Sequence, residues 1–179
     1  RRDALAKKLA LAGKDFSTTS IVELASIFRK ILEQKIHGIT FSPYTEGQGP
    51  GTQIGEQQIR ERLEIIRPCV NWIRSFSCTD GNEQIPRIAV ENGLKTMVGV
   101  WLDDDRENNE RELAGAIEVA RAGNANILAV GNEVLLRGDL TEDELIGYID
   151  RAKRAAPDVD VGYVDAYFKF VDHPRVTEA

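Results

Sequence analysis

Residues 127–134 read ILAVGNEV, a short apolar run that passes directly into Gly-Asn-Glu. A continuous apolar run of this length, bounded by Gly123 and Gly131, is typical of a strand buried on both faces. In a parallel α/β sheet, the residues that follow a strand lie at its C-terminal end, where ligands bind. The pattern therefore predicts that Asn132 and Glu133 lie at a strand tip, with Glu133 partly shielded from water.

Two roles are open for this strand tip. Partial burial of a carboxyl group raises its pKa toward the range that general acid catalysis needs, which makes Glu133 a candidate acid. Asn132 offers both a donor and an acceptor to a substrate hydroxyl. Alternatively, Asn-Glu is an ordinary polar loop start or helix cap, so the surrounding sequence has to decide.

The composition is that of a globular protein and narrows the set of partners. The chain has 179 residues, of which 42% are hydrophobic and 29% charged, and its formal net charge is -6. The sequence has no basic patch with interleaved aromatic residues, which argues against nucleic acid as a partner. It also has no membrane segment, since no apolar run reaches the ~18 residues that a spanning helix needs.

The cysteines and histidines do not predict a disulfide, a metal site or a cofactor. Cys69 and Cys78 flank a predicted strand, so the extended chain between them holds them too far apart to pair. His37 and His173 are distant in sequence, and no metal-ligand cluster accompanies them. We therefore expect no metal and no cofactor.

The first 35 residues predict helices without strands. Residues 1–12 read as a short helix that Gly13 stops. Ser20 followed by Glu23 is a capping box that opens a second helix. Its apolar stripe, at helical spacing, consists of Ile21, Leu24, Ile27, Phe28, Ile31 and Leu32. We interpret residues 1–35 as an N-terminal helical extension and residues 36–179 as a separate α/β domain.

From residue 36 onward, strands and helices alternate. The predicted strands are 36–41, 70–76, 94–101, 126–130 and 159–164. The predicted helices are 56–67, 82–92, 107–122 and 142–156, with one more helical turn over 172–179. Thr141 and Glu144 form the capping box of the helix at 142–156. Alternation without a hairpin signal is typical of βαβ units and a parallel sheet.

Two parallel folds accommodate five such units: an open sheet, or part of a (β/α)8 TIM barrel, which needs ~250 residues in full. An open dinucleotide-binding sheet carries G-x-G-x-x-G after its first strand, whereas Ser-Pro-Tyr at 42–44 follows the first strand here. Polar or aromatic residues follow every predicted strand, as in a barrel whose strand ends share one cleft. We predict a (β/α)8 TIM barrel of which about the first five units are present.

The predicted strand ends carry side chains that suit a carbohydrate. Tryptophan and tyrosine rings stack on sugar faces, while carboxylates, amides and guanidinium groups bind hydroxyls. The candidates at the strand ends are Tyr44, Arg74, Trp101, Asn132, Glu133 and Asp165. Glycoside hydrolysis uses two carboxyl groups, and Glu133 is the candidate acid.

A structural role is open for most of these candidates. Trp101 is equally compatible with the core at a strand end, and Arg74 with a structural ion pair. Asp165 suits either a ligand contact or the orientation of a neighbouring side chain. The acidic run at 103–105 reads as a solvated helix start that the helix dipole favours.

Five segments resemble the bacterial branch of glycoside hydrolase family 17, which contains β-1,3-glucanases and β-1,3-glucan transglycosylases. The segments are IHGITFSPY (36–44), VNWIRSFSC (70–78), LKTMVGVWLDDD (94–105), NERELAGAIEVA (109–120) and ILAVGNEVLLRGDLT (127–141). The resemblance implies a retaining reaction on β-1,3-glucan, with Glu133 as general acid/base and Asn132 as the adjacent substrate-binding amide. Tyr44, Arg74 and Asp165 fall in matching strand-end segments.

The chain departs from that family in one respect. The family's nucleophile is a Glu at the end of strand seven, whereas the last predicted strand here is the fifth. We expect the nucleophile beyond residue 179, an inactive 179-residue segment, and an open barrel edge through which the segment self-associates. Hydrolysis and transglycosylation both remain open. The alternative is a non-catalytic glucan-binding partial barrel, or a half-barrel that needs another segment for activity.

Overall fold

The structure, a computed structural model, describes residue 11 and residues 13–179. Five strands form one parallel sheet in which the strands lie side by side in chain order. They are β1 (Ile36–Thr40), β2 (Val70–Arg74), β3 (Lys95–Val100), β4 (Ile127–Asn132) and β5 (Asp160–Val164). The predicted α/β fold with a parallel sheet is confirmed, because each pair of neighbouring strands is parallel and is joined by a crossover segment rather than a hairpin.

Helices occupy the segments between and after the strands. They are α1 (Ile21–Glu33), α2 (Glu56–Ile66), α3 (Gln84–Glu91), α4 (Arg106–Arg121), α5 (Val134–Arg137), α6 (Glu142–Ala155), α7 (Tyr167–Asp172) and α8 (Pro174–Glu178). The predicted capping box of α6 is confirmed: the Glu144 amide donates to Thr141 Oγ1 at 3.3 Å, and the Thr141 amide donates to the Glu144 carboxylate at 2.7 Å.

The predicted strand over 70–76 is two residues too long. The Ser75 amide still donates to the Met97 carbonyl at 3.0 Å, but the chain then turns away from the sheet. Phe76 and Ser77 consequently lie in the loop that leads from β2 to α3. Three residues of this loop, Ser77, Cys78 and Thr79, donate to Glu112 of α4, and the Cys78 thiol also donates to the Gly99 carbonyl of β3 at 3.4 Å.

Two short helices differ from the predicted pattern. The single helical turn expected over 172–179 is confirmed as α8, whereas α7, which begins at Tyr167 and is separated from α8 by a break at His173, was not expected. The residue before a proline avoids helical backbone angles, so Pro174 starts a new helix. The helix α5 was not predicted at all, since four residues are too few for a periodic signal.

The helices α2 to α6 cover one face of the sheet and form its core. One apolar cluster joins β1 and β2 to α2 and α3. Its fully buried side chains include Ile59, Leu63, Ile73, Ile85 and Ile88. A second cluster joins β3, β4 and β5 to α4 and α6. Its fully buried side chains include Val98, Leu113, Leu128, Leu145 and Ile149. Each such side chain contributes about 1.5–3 kcal/mol by its removal from water.

The opposite face of the sheet carries a second set of side chains. An open cleft of about 310 Å³ there is lined by Gly38, Thr40, Trp72, Arg74, Met97 and Ile127, among others. Arg74 pairs in register with Met97, and Met97 with Ile127, so these side chains lie in neighbouring strands on one face. In a barrel this face points inward, and large side chains fill it.

The chain divides into two compact units, Arg1–Gln34 and Lys35–Ala179. In the first unit, α1 begins at Ser20, whose hydroxyl accepts the Glu23 amide at 3.2 Å, one half of the predicted capping box. The predicted helix over 1–12 lies outside the described residues, and the assignment of 1–35 as an extension stays a prediction. No described helix is long and apolar enough to cross a membrane.

Candidate active site

Glu133 lies immediately after β4, at the C-terminal end of the sheet. Its backbone is left-handed, with φ 54° and ψ 27°, and its amide donates to the Val164 carbonyl at the end of β5, 2.8 Å away. This hydrogen bond turns the chain out of the sheet at the strand tip. Glu133 is exposed within the described unit, and its expected partial shielding from water stays a prediction. The described residues therefore present this carboxylate openly at the sheet end.

Arg74 and Asn132 meet at the ends of β2 and β4. Arg74 donates to the Asn132 side-chain oxygen at 2.5 Å, so the arginine has an amide partner rather than the structural carboxylate that was one alternative. Burial lowers the pKa of Arg74, and the nearby Glu133 carboxylate partly offsets this. The Arg74 Nε is buried without a partner among the described residues. Arg74, Asn132 and Glu133 thus form one cationic and polar cluster, as predicted from their strand-end positions.

Trp101 follows β3 and is half-buried, which is intermediate between the core position and the sugar-stacking surface considered from the sequence. Its indole N–H donates to Asp103 at 3.1 Å. The guanidinium carbon of Arg137 lies 4.7 Å from the centre of the indole ring system, a cation–π contact. One side of the indole is therefore occupied by an arginine, while the ring also lines a cleft of about 480 Å³.

Arg137 is a site residue that sequence reasoning missed. Besides stacking on Trp101, it donates to the Leu102 carbonyl at 2.7 Å, to the Asn132 carbonyl, and to Asp139 at 2.6 Å. It thereby joins the chain after β3 to the end of β4, next to Glu133. The only sequence signal for Arg137 is its place in the VGNEVLLRG segment, since its partners are far away along the chain.

Replacement of Arg137 by lysine is expected to weaken the connection between the chain after β3 and the end of β4. Lysine lacks the planar fork that reaches two carbonyls and a carboxylate at once, so at least one carbonyl loses its donor. We expect a loss of about 1–3 kcal/mol in unfolding free energy. The measurement is urea unfolding of the variant beside Arg121→Lys, a matched change at an exposed arginine in the last turn of α4. Equal stability of the two variants would contradict the assigned role of Arg137.

Asp165 follows β5, and its carboxylate accepts hydrogen bonds from backbone amides and from a side-chain hydroxyl. Its carboxylate accepts from the Tyr163 hydroxyl, from the Leu136 amide at 3.3 Å and from the Ala166 amide at 2.7 Å. The Tyr163 hydroxyl in turn accepts the Leu135 amide at 3.0 Å. Burial and the Asp165 carboxylate together raise the pKa of Tyr163, so its hydroxyl keeps its proton. Of the two roles weighed for Asp165, this geometry favours orientation: it holds α5 directly after Glu133.

A cleft of about 480 Å³ lies beside the Arg74–Asn132 pair rather than on it. Its aromatic lining consists of Phe41, Tyr44, Phe76 and Trp101. Its polar lining consists of Ser42, Ser77, Thr79, Asp80, Asn82, Asp103, Asn108 and Glu112. Tyr44 and Trp101, both predicted, therefore share one cleft, and the Tyr44 hydroxyl accepts from Asn82 at 3.2 Å. The guanidinium of Arg74 stacks over Phe76 at 5.1 Å, which connects the cleft to the cluster around Glu133.

The acidic run at 103–105 has divided roles. Asp105 caps α4 by accepting the amides of Glu107 and Asn108 at 3.0 Å each, as the predicted helix start requires. Asp103 instead accepts the Trp101 indole N–H and lines the cleft. Asp104 is exposed.

Glu112 is the second site residue that sequence reasoning missed. It lies in α4, is 1% exposed, and accepts four hydrogen bonds from residues near the ends of β2 and β3. Burial raises the pKa of Glu112, and the four hydrogen bonds lower it in part. The only sequence signal for Glu112 is its place in an amphipathic helix. That pattern does not distinguish a buried glutamate from an ordinary glutamate on the surface.

Comparison with known proteins gives a family. A family of glycoside hydrolase domains, described as BtgE/BtgC, matches residues 38–179. The chain belongs to the BtgE/BtgC glycoside hydrolase domain family. Among curated proteins, this glycoside hydrolase domain is 32% identical over 119 residues to the "Probable beta-glucosidase btgE" of Aspergillus flavus, covering 65% of the chain and 19% of that protein. It is 31% identical over 129 residues to the "Glucan 1,3-beta-glucosidase" of Arthroderma benhamiae, covering 69% of the chain and 41% of that protein.

A solved structure supports the predicted barrel. The domain resembles a glycoside hydrolase family 17 β-1,3-glucanosyltransferase from Rhizomucor miehei, with a TM-score of 0.63 and 25% identity. The match covers 77% of this chain and 52% of that enzyme, so the five-stranded sheet corresponds to part of a family 17 barrel fold. An active-site mutant of the same enzyme, in complex with laminaritriose, matches equally well. These relatives are fungal, and the bacterial branch expected from the sequence stays a prediction.

Proposed function

We propose that this domain is part of a retaining enzyme that acts on β-1,3-glucan, with Glu133 as its general acid/base. The observation that carries the proposal is the exposed Glu133 carboxylate at the C-terminal end of β4, in one cluster with Arg74 and Asn132. Catalytic groups of (β/α)8 enzymes lie at this end of the strands. Membership of a glycoside hydrolase family adds the reaction class.

In the proposed reaction, Glu133 first donates its proton to the leaving glycosidic oxygen. A second carboxylate attacks the anomeric carbon and forms a covalent glycosyl intermediate. Glu133 then takes the proton from the incoming water or sugar hydroxyl, which releases the product with retained configuration. The two carboxyl groups of such a pair lie about 5–5.5 Å apart. We place the nucleophile on a later strand, outside residues 1–179.

The charges and polar groups around Glu133 suit a site that binds sugar hydroxyls. The Arg74 cation lies near the Glu133 carboxylate, and its Nε has no partner among the described residues. The Asn132 side-chain oxygen accepts from Arg74, and we assign the remaining NH₂ group of Asn132 to a substrate hydroxyl beside the reacting bond. Asp165 and Arg137 act on Glu133 only indirectly, by holding α5 and the end of β4.

The cleft beside this cluster supports a sugar substrate. Tyr44, Phe76 and Trp101 provide aromatic surfaces of the kind that stack on sugar rings, and acidic and hydroxyl side chains surround them. The names of the relatives favour a β-1,3-linked glucan among the possible sugars, since one is a glucan 1,3-beta-glucosidase and another a β-1,3-glucanosyltransferase. We therefore propose a β-1,3-glucan oligosaccharide or polysaccharide as the substrate of the whole protein.

The proposal is tested by turnover of laminaritriose and longer β-1,3-glucan oligosaccharides by the complete gene product. We expect the first-formed product to be the β-anomer, as proton NMR during the first minutes reveals. Shorter products alone indicate hydrolysis, whereas products longer than the substrate indicate transfer to a sugar. A first-formed α-anomer, or no turnover of any β-glucan, would contradict the proposal. Binding without turnover would favour the non-catalytic glucan-binding alternative.

The 179-residue chain is the informative comparison in the same assay. Because the proposed nucleophile lies outside it, we expect negligible turnover by this segment. Within the described unit, β1 and β5 each pair with one neighbouring strand, so each leaves an edge of unpaired backbone groups. We propose that the segment self-associates through these edges, and sedimentation velocity would reveal oligomers. A monomeric, fully active segment would contradict both statements.

A further inference from the structure

Glu112 lies in the wall of the aromatic cleft and contacts two loops at once. The four groups that donate to it lie in the loop after β2 and directly after β3. Gly115, one helical turn further along α4, permits this close approach, because a Cβ atom there would lie 2.4 Å from the Cys78 carbonyl oxygen. The helix and the loop after β2 are therefore in direct contact around Glu112.

The two oxygens of Glu112 have different partners. Oε2 accepts backbone amides, from Cys78 at 2.8 Å and Trp101 at 3.1 Å. Oε1 accepts hydroxyls, from Ser77 at 2.5 Å and Thr79 at 2.7 Å. Backbone amides can only donate, whereas a hydroxyl can rotate to donate or to accept. In its ionised form Glu112 has no proton to give, so both hydroxyls direct their hydrogen atoms toward Oε1.

This arrangement decides what the cleft wall offers to a ligand. Ser77 and Thr79 are half-buried and line the cleft, and with their hydrogens turned to Glu112 they expose oxygen lone pairs. The Thr79 amide donates to the Ser77 hydroxyl oxygen at 3.2 Å, and the two hydroxyl oxygens lie 3.2 Å apart, so the lone pairs that face the cleft are the ones left to accept. The carboxylates of Asp80 and Asp103 in the same lining are also acceptors. Such a wall matches a ligand that carries many hydroxyl donors.

We infer that Glu112 is a positioning residue that sets the hydrogen-bond polarity of the cleft, making Ser77 and Thr79 acceptors for the hydroxyls of a bound β-1,3-glucan. The inference rests on the proposed function, because it presumes that a glucan occupies this cleft. Glu112 itself is 1% exposed and acts through the two hydroxyls and through the Trp101 backbone.

The Glu112→Gln variant changes the donor and acceptor roles of the Ser77 and Thr79 hydroxyls but keeps the backbone hydrogen bonds that hold the two loops. The amide oxygen of glutamine can keep both backbone donors of Oε2, while its NH₂ group faces Ser77 and Thr79 and forces their hydroxyls to accept. The two loops stay anchored, but the hydroxyl hydrogens now point into the cleft. In the complete gene product we expect KM for laminaritriose to rise roughly tenfold, with a smaller change in kcat, because the sugar hydroxyls that donated to Ser77 and Thr79 must reorient to accept from them.

The controls distinguish polarity from a general loss of structure. Glu118→Gln, at an exposed position of the same helix, should leave KM and the melting temperature unchanged. Ser77→Ala combined with Thr79→Val should raise KM by itself but add little in the Glu112→Gln background, since both changes remove the same acceptors. If Glu112→Gln fails to fold, the Ser77→Ala and Thr79→Val protein carries the test.

The outcomes separate this inference from the proposed function. The role of Glu112 would be overturned, while β-1,3-glucan turnover stands, by either of two results. One is that the effects of Glu112→Gln and of the Ser77→Ala and Thr79→Val changes on KM are additive. The other is that KM of the Glu112→Gln protein equals that of the unchanged protein. Unchanged KM in the Ser77→Ala and Thr79→Val protein would overturn it as well. Failure of the unchanged protein to bind or turn over laminaritriose overturns the proposed function, and the inference with it.

Discussion

Glu133→Gln is expected to lower kcat of the complete gene product on β-1,3-glucan by roughly 10²–10⁴-fold, the usual contribution of general acid–base catalysis. Glutamine has nearly the size of glutamate but neither gives nor takes the proton. Because the Glu133 side chain is exposed and only its backbone amide donates to Val164, the change should leave the fold intact. Initial rates on laminaritriose, with binding measured separately by calorimetry, give kcat and affinity.

A substrate with a better leaving group sharpens the assignment of Glu133. A dinitrophenolate departs without a proton, so the first, bond-breaking step on a dinitrophenyl glucoside should lose much less in Glu133→Gln than the same step on laminaritriose. Glu118→Gln, at an exposed position of α4, is the matched control and should retain full activity. An equal loss on both substrates would rule out proton donation by Glu133, and an unchanged rate on laminaritriose would exclude it from catalysis.

Gly99→Ala is expected to destabilise the fold by about 3 kcal/mol, the upper part of the range for overpacking a core. Gly99 lies in β3, and a Cβ atom there would lie 2.4 Å from the Ser75 carbonyl oxygen and 2.7 Å from the Phe76 Cα. Both atoms belong to the backbone, so no side-chain rotation can relieve the clash. The strand would have to move away from the loop after β2, which carries the wall of the cleft. Urea unfolding measures the change.

Gly162→Ala is the matched control for that experiment. Gly162 lies in β5, and nothing comes within 4 Å of a Cβ atom built on it. An alanine there restricts the unfolded chain without a clash, so we expect stability to be unchanged or to rise by about 0.4–1 kcal/mol. Similar unfolding curves for the two variants would contradict the close approach of β3 to the loop after β2. Activity of Gly99→Ala should fall along with stability, because Trp101 follows the same strand.

Much of the fold was predictable because its signals are local. The apolar run before Gly131, the proline and glycine stops, and the Thr141–Glu144 capping box each depend on residues a few positions apart. The order of strands and helices followed from these signals, and the parallel sheet followed from the alternation. The omissions fell on the shortest elements, since neither the four-residue α5 nor the six-residue α7 gives a periodic pattern.

The candidate site was predictable only in part. The sequence identified Glu133, Asn132 and Arg74 as strand-end groups, and the Arg74–Asn132 hydrogen bond then joins residues 58 positions apart. It could not decide between the two roles of Asp165, which depend on the Tyr163 hydroxyl and on the amides of α5. The expected partial shielding of Glu133 from water stays a prediction, because a strand-end position specifies where a residue lies along the sheet but not what covers it.

The sequence by itself determined the class of fold, the family resemblance and the identity of the candidate acid, because each is recorded in a contiguous segment of residues. Only the tertiary structure revealed the roles of Arg137 and Glu112. Arg137 reaches Leu102 across 35 positions, and Glu112 reaches Cys78 across 34. Such contacts form only when the crossover connections bring separate strand ends together. The hydrogen-bond polarity of the cleft therefore depends on the packing of a helix against a loop, which no local pattern of residues encodes.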